Sequence, residues 1–126
     1  MKAKPEVLDV LSMMLEEELL ALNQYMLHSE MQENWGYLRL AKEIRKLSIV
    51  EMRHAEALME RILFLEGIPN LSDFPKLKVG KDVKQQLEND LALERSAVAA
   101  YNVAIVPPSL QPSLRLRLAL LLHELP

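Results

Sequence analysis

The chain has 126 residues, of which 50% are hydrophobic, 26% are charged and only three are glycine. This composition disfavours both a disordered chain and a turn-rich all-β fold, so a helical domain is expected. A formal net charge of −3 offers no basic field to a nucleic acid, and the absence of cysteine excludes disulfides and thiolate metal ligands.

The first two predicted helices form a hairpin. Helix A begins at Pro5, a residue suited to the first turn of a helix, and ends near Asn34. Helix B follows a tight turn at residues 35–37 and continues to about Leu65. So short a connection predicts that the two helices are antiparallel neighbours.

The third predicted helix, helix C, is separated from the second by a long linker. It begins at Asp82, a good N-cap residue with Gln85 three positions later, and ends near Ile105. A helix of about 30 residues is about 45 Å long, and about 15 extended residues span at most about 50 Å. The linker can therefore cross the whole bundle and leave helices B and C parallel, the connection typical of a ferritin-like four-helix bundle.

The sequence composition changes abruptly after Val106. The last 20 residues hold four of the seven prolines and only one of the 18 acidic residues. We therefore expect a helical bundle over residues 1–105 and a divergent Pro/Leu-rich tail over residues 106–126. Within the tail, residues 114–125 fit a short helix and a strand equally well. An all-α bundle is predicted, with a short or incomplete fourth helix and no fifth helix.

Neither end of the chain carries a membrane signal. The opening residues, MKAKPEVLDV, lack the apolar core of a signal peptide, and the leucine-rich stretch at 114–125 is interrupted by arginines and is too short to span a bilayer. A cytoplasmic protein with no membrane or nucleic-acid partner is expected.

An acidic residue interrupts the apolar stripe of each predicted helix. The acids are Glu18 in helix A, Glu51 in helix B and Glu94 in helix C, and His54 follows Glu51 by one turn. At any one such position a solvated glutamate is the commoner outcome. Burying several carboxylates together costs several kcal/mol each unless a cation neutralises them. The same interruption in three helices therefore favours a bound polyvalent metal.

Glu51 and His54 form an E-x-x-H motif, in which two residues three apart lie on one helix face and can hold one ion. Oxygen and imidazole donors suit iron or manganese best, and zinc stays open. With Glu18 and Glu94, the motif provides three of the four helix contributions of a di-iron carboxylate bundle. The fourth contribution, a second E-x-x-H, is missing.

Several longer segments make the chain similar to a bacterioferritin over about residues 1–105. They are NQYMLH at 23–28, NWGY at 34–37, EMRHA at 51–55, ERILFLEGIPNL at 60–71 and DLALE at 90–94. The resemblance implies a subunit of a hollow cage that stores iron. It also implies that ferrous iron is oxidised by dioxygen or peroxide at a di-iron centre inside each bundle, and that haem b binds between two subunits.

The resemblance also implies roles for the acids and the histidine. Glu18 and His54 resemble terminal ligands of a first iron, Glu51 a bridging carboxylate, and Glu94 a terminal ligand of a second iron. Because the second E-x-x-H is missing, the second iron keeps only Glu94 and a share of Glu51, which are few ligands for a tight site.

Three further residues carry expectations. Tyr25, one heptad after Glu18, resembles the aromatic residue that lies beside the centre and can donate an electron. Met52 resembles the haem ligand; it is rotated by about 100° from Glu51 and so points away from the bundle interior, and its alternative role is an apolar interface residue. His28 is expected to be a packing or surface residue.

Three functions remain open from the sequence. The first is an iron-storage subunit with an intact or impaired ferroxidase centre. The second is a non-catalytic haem-binding or structural partner, as a homo-oligomer or assembled with full-length subunits. The third is a degenerate fragment that folds poorly. The unusual tail also suggests the hypothesis that residues 106–126 are a truncated or frame-shifted version of an ancestral C-terminus.

Overall fold

The computed structural model describes residues 4–72 and 76–103, with side chains as far as residue 99. The chain forms three helices, α1 at Pro5–Asn34, α2 at Leu38–Phe64 and α3 at Val83–Val103. Their bounds agree closely with the predicted ones. The tail at 106–126, with the expected short fourth helix, and the predicted helix end at Ile105 lie outside the described residues.

A single turn joins α1 to α2, as predicted. Gly36 takes a positive φ of 91°, which a residue without a Cβ adopts at no steric cost. The Tyr37 N–H then donates to the Gln32 carbonyl at 2.9 Å, which satisfies one of the last carbonyls of α1. The chain reverses direction here, and α2 packs back along α1.

The start of α3 also follows from local sequence. The Asp82 side chain accepts a hydrogen bond of 2.8 Å from the Gln85 N–H, which satisfies one of the free amides of the first turn. The Gln85 side chain reaches back and accepts 2.7 Å from the Lys81 N–H. The predicted N-cap at Asp82 is therefore confirmed.

The side-chain contacts define the directions of the helices. Between α1 and α2, the Ser48 hydroxyl donates to the Leu22 carbonyl, while Arg45 pairs with Glu30 further along α1. Later residues of α1 therefore contact earlier residues of α2, which shows that the two helices are antiparallel.

Helix α3 shows the same relation to α1. Gln32 bonds to Gln86, and Tyr25 bonds to Glu94. Helices α2 and α3 are therefore parallel and are joined by the long crossover that the linker length predicted. In the part of the chain that the structure describes, α1 packs along both helices, and the backbone of α3 lies closer to α1 than to α2. This is the arrangement of three helices of a four-helix bundle.

Two apolar clusters form the core. One includes Tyr25, Ile44 and Leu87, and the other includes Leu15 and Ile62. The acidic positions of α1 and α2 lie between these clusters along the helix axes. No helix among the described residues is both long and apolar enough to cross a membrane.

Gly80, at the end of the crossover, provides the first test of the fold. A Cβ at Gly80 would lie 2.4 Å from the backbone nitrogen of Gln86 and 2.6 Å from its Cα. Because backbone atoms cannot easily yield, we expect Gly80→Ala to lower the free energy of unfolding by about 3 kcal/mol. Urea unfolding measures this loss. In Gly36→Ala the new methyl group meets nothing within 4 Å. The free energy of unfolding should therefore fall only by the strain that alanine adds at this positive φ, about 1 kcal/mol. Equal losses in the two variants would contradict this account.

Candidate metal centre

Three of the predicted ligands converge between α1 and α2. Glu18 is 4% exposed and Glu51 is 3% exposed, while the side chain of His54 is 35% exposed. One potential ligand atom from each residue can be chosen so that all three lie within 4.8 Å of one another. Glu51 and His54 are brought together by a single turn of α2, and Glu18 comes from the neighbouring helix. Two carboxylates and one imidazole are therefore close enough together to bind a single metal ion.

His54 is the positive partner of both carboxylates. Its Nδ1 lies 3.5 Å from Glu18 Oε2 and 3.5 Å from Glu51 Oε2. These contacts, with Glu18 first and Glu51 second, raise the pKa of His54 to about 10 against an opposing effect of burial. An imidazolium thus supplies the positive charge that the buried carboxylates require.

The donor set fits a metal ion. Among the described residues, Glu18 Oε2 is buried with only the 3.5 Å ion pair to His54 and no hydrogen bond, and burial raises the pKa of Glu18 although His54 lowers it. A buried carboxylate oxygen without a hydrogen bond is costly, and a cation at this point would neutralise it. Two carboxylates and one imidazole suit iron, manganese or zinc.

Glu94 lies beside this group on α3 and is not one of the three convergent residues. Its side chain is buried, and the Tyr25 hydroxyl donates a hydrogen bond to Glu94 Oε1. Burial is the main cause that raises the pKa of Glu94 to about 9, and the nearby carboxylate of Glu51 adds to it. Glu94 is therefore mainly protonated at neutral pH when no cation is present.

Tyr25 occupies the interior next to Glu94. The residue is fully buried, and burial, followed by the carboxylate of Glu94, raises its pKa well above the usual value. A neutral phenol is thus hydrogen-bonded to one of the predicted ligands. Its predicted role as an electron donor remains a prediction.

Met52 lies outside the centre. It is 41% exposed on α2, directly after the buried Glu51. This position agrees with the helical rotation expected for neighbouring residues. The predicted role as a haem ligand remains a prediction.

The sequence analysis missed a layer of buried polar residues next to the centre. All of its members are 2% exposed or less; they are Gln24, His28, Gln32, Ser48, Gln86 and Asp90. His28, which was expected to be a packing or surface residue, is fully buried and has a hydrogen-bond partner at each ring nitrogen. A signal was present, because Gln24, His28 and Gln32 recur every four residues and so follow one face of α1.

This fold and this set of side chains define the class of protein. Parallel α2 and α3, a long crossover and an inward E-x-x-H motif with further glutamates are the marks of a ferritin-like bundle. In agreement, the model of the family described as "Ferritin-like domain" matches residues 8–106.

Comparison with individual proteins identifies the family within this class. The bacterioferritin of Mycobacterium leprae is 46% identical over 106 residues, which are 84% of this chain and 67% of the relative. That of Brucella melitensis is 48% identical over 101 residues, 80% of this chain and 63% of the relative. The solved structure of Mycobacterium tuberculosis bacterioferritin, BfrA, superimposes with a TM-score of 0.81 at 40% identity, covering 98% of this chain and 77% of that one. The chain belongs to the bacterioferritin family, as its motifs predicted.

Proposed function

We propose that this chain is an iron-storage subunit that binds ferrous iron at Glu18, Glu51 and His54 and promotes its oxidation. The observation that carries the proposal is the convergence of two buried carboxylates and an imidazole within 4.8 Å. Membership of the bacterioferritin family supports iron as the cargo. Oxygen and nitrogen donors are also the ligands that iron accepts.

In this proposal, the binding of ferrous iron releases protons from the site. The pKa of His54 is raised to about 10 and that of Glu94 to about 9, so both carry a proton at neutral pH. A ligand must be deprotonated to bind a metal, and ferrous iron therefore displaces these protons. Each ferrous ion that is oxidised then gives one electron to dioxygen or peroxide, and the ferric product passes to storage.

The roles that we propose for the ligands are those that the resemblance to bacterioferritins implies. Glu18 and His54 would hold the first ion, and Glu51 would be shared between the two ions. Glu94, with a share of Glu51, holds the second ion. Tyr25 is proposed as an electron donor because its buried hydroxyl bonds to Glu94. The second position has fewer ligands among the described residues, so we propose that it binds iron more weakly.

An iron assay with a mass measurement tests this proposal. Anaerobic titration with ferrous iron should show a binding event, and admitting air should produce ferric absorbance faster than in buffer. Size-exclusion chromatography with light scattering and iron analysis on the same sample then measures the assembly. An iron-rich particle of many subunits supports storage. Oxidation no faster than in buffer would remove the catalytic part of the proposal.

A second candidate function is suggested by Met52. The residue is 41% exposed on α2, and a methionine thioether is a known axial ligand of haem iron. The chain would then act as a haem-binding or structural partner of other bacterioferritin subunits. The haem group, when bound, would supply a one-electron redox centre.

Haem binding by Met52 has a direct test. Because leucine keeps the volume of methionine and lacks its sulfur, Met52→Leu should lower haem affinity by more than about tenfold while leaving the free energy of unfolding within about 1 kcal/mol. A haem titration followed by visible absorbance measures the affinity. Ile49→Leu, at an exposed apolar position one turn earlier, is the matched control. Unchanged haem affinity in Met52→Leu would exclude this role.

A further inference from the structure

A buried cluster of hydrogen bonds lies between α1 and α3, one layer away from the metal centre. Gln24 Nε2 donates to Asp90 Oδ1 at 2.9 Å, and His28 Nδ1 lies 2.8 Å from the same oxygen. His28 and Asp90 are completely buried, and Gln24 is nearly so. These three residues, called here the α1–α3 cluster, are not part of the proposed iron site.

The same two side chains of α1 also hold the end of the crossover. The Lys78 N–H donates to Gln24 Oε1 at 3.0 Å, and the Gly80 N–H donates to His28 Nε2 at 3.0 Å. Gln24 and His28 therefore each bond to the crossover with one atom and to Asp90 with another. The cluster connects α1, α3 and the segment that leads into α3.

The backbone contacts determine the tautomer of His28 and the orientation of the Gln24 amide. A backbone N–H can only donate, so His28 Nε2 must be the unprotonated nitrogen that accepts from Gly80. The ring proton is then on Nδ1 and is donated to Asp90. By the same reasoning the Gln24 oxygen faces Lys78 and its amide nitrogen faces Asp90. His28 is thus a neutral imidazole with one defined tautomer, and the carboxylate receives two hydrogen bonds on one oxygen.

Asp90 stands one helical turn before Glu94, on the same face of α3. Within the described residues the backbone of α3 lies closer to α1 than to α2, so its register depends mainly on α1. A slip of one turn would move Glu94 by about 5.4 Å, away from Tyr25 and Glu51. Apolar packing specifies such a register less sharply than hydrogen bonds do, because the hydrophobic effect is not directional. The hydrogen bonds of Asp90 are directional and have one set of partners.

We propose that Gln24, His28 and Asp90 are positioning residues, which set the register of α3 on α1 and so hold the Glu94 carboxylate at the metal centre. The metal part of this inference rests on the proposed function, whereas the register part does not. Gln32 and Gln86, which bond to each other at 3.0 Å one layer further along, extend the same contact between the helices. The Gln86 amide also donates to the Gly80 carbonyl at 3.2 Å.

Cobalt binding provides the first test, because the visible bands of Co²⁺ report the ligands that hold it. We expect two cobalt-binding events, one at Glu18, Glu51 and His54 and one that depends on Glu94. The second is identified as the event that is lost in Glu94→Gln. Asp90→Leu should weaken that event at least tenfold and leave the event at Glu18, Glu51 and His54 within twofold. Asp90→Asn keeps an acceptor oxygen and should restore the Glu94-dependent event to within threefold of the unmodified chain. Equal weakening of both events in Asp90→Leu would overturn the proposal, since it would show a general loss of structure.

The control is Glu88→Gln, an exposed carboxylate on the same helix, which should leave both cobalt events unchanged. If Asp90→Leu fails to fold, Asp90→Asn and the unmodified chain still decide the question through nuclear magnetic resonance. In the unmodified chain, the ¹⁵N shifts of His28 should show a neutral ring protonated on Nδ1. A ring protonated on Nε2, or on both nitrogens, would overturn the proposal.

A measurement without metal separates this proposal from the proposed function. The buried hydroxyl proton of Tyr25, bonded to Glu94, should give a slowly exchanging downfield proton signal that persists in Asp90→Asn and is lost in Asp90→Leu. If the unmodified chain takes up no cobalt, the iron-site proposal fails while this signal still decides the positioning role. An unchanged Tyr25 signal in a folded Asp90→Leu variant would show that the cluster does not position Glu94.

Discussion

Replacing Glu51 with alanine should lower the rate of ferrous iron oxidation by more than about 100-fold, because this carboxylate serves both halves of the proposed site. It lies 3.5 Å from His54 and is close enough to Glu94 to raise its pKa. Even the partners that only orient metal ligands cost about 10- to 100-fold when removed, so a shared ligand should cost more. The initial rate of ferric absorbance after mixing with ferrous iron in air measures the effect.

The control for Glu51→Ala comes from the same helix. Glu56 is an exposed glutamate a little more than one turn later, and Glu56→Ala makes the same change in charge and helix propensity. This variant should oxidise iron at the rate of the unmodified chain. A Glu51→Ala variant that is folded and as fast as Glu56→Ala would exclude the assigned centre. Parallel losses in both variants would point to surface charge as the cause.

Replacing Glu94 with glutamine should make the metal-free protein more stable and the metal site weaker. Glutamine keeps an oxygen to accept from Tyr25 and an amide that can donate to Glu51, and it carries no ionisable proton. Burial and the neighbouring carboxylate of Glu51 make the charged form of Glu94 costly. At pH 8 we expect a gain of roughly 1–3 kcal/mol in the free energy of unfolding without metal. Metal affinity should fall in the same variant because a ligand is lost.

The shifted pKa of Glu94 also predicts how the free energy of unfolding changes with pH. The pKa of Glu94 is about 9 in the fold, against a model value of 4.5, so between these values the unfolded chain binds fewer protons than the folded one. The free energy of unfolding of the metal-free protein must therefore fall as the pH rises through this window. His54 contributes in the same direction between its model value of 6.5 and its pKa of about 10.

Comparing the two chains isolates Glu94, since the contribution of His54 is common to both. The advantage of Glu94→Gln should be small near pH 5 and should increase towards pH 8. Urea unfolding in the presence of a chelator measures the difference, with Glu88→Gln as the exposed control on α3. An advantage that does not grow with pH would show that Glu94 is not held in a costly buried position. Added ferrous iron should reduce this advantage, since the variant keeps the first position but loses a ligand of the second, and a ligand stabilises a folded chain in proportion to its affinity.

Much of the proposed site could be predicted from residues that are near one another in sequence. Glu51 and His54 are three residues apart, so helical geometry alone places them on one face. The turn at Gly36 and the N-cap at Asp82 depend on local backbone preferences, which one sequence reveals directly. The linker length was enough to predict parallel α2 and α3, because a short connection cannot span a bundle.

The sequence did not reveal the cluster of Gln24, His28 and Asp90. Gln24 and Asp90 are 66 positions apart in the chain, and a single sequence carries no record of which turn of α1 meets which turn of α3. The four-residue spacing of Gln24 and His28 places them on one face of α1, but a polar face of this kind is usually solvated, so the spacing alone does not show that they are buried.

By itself, the sequence determined the three helices, the connection between them and the inward acids, because helix periodicity, capping and chain length are properties of short segments. Only the tertiary structure decided that Glu18 joins Glu51 and His54 while Glu94 pairs with Tyr25, and that His28 is a neutral link between α3 and the crossover. These contacts depend on the axial register of packed helices. Register is set by many directional contacts acting together, and no single segment of the chain contains it.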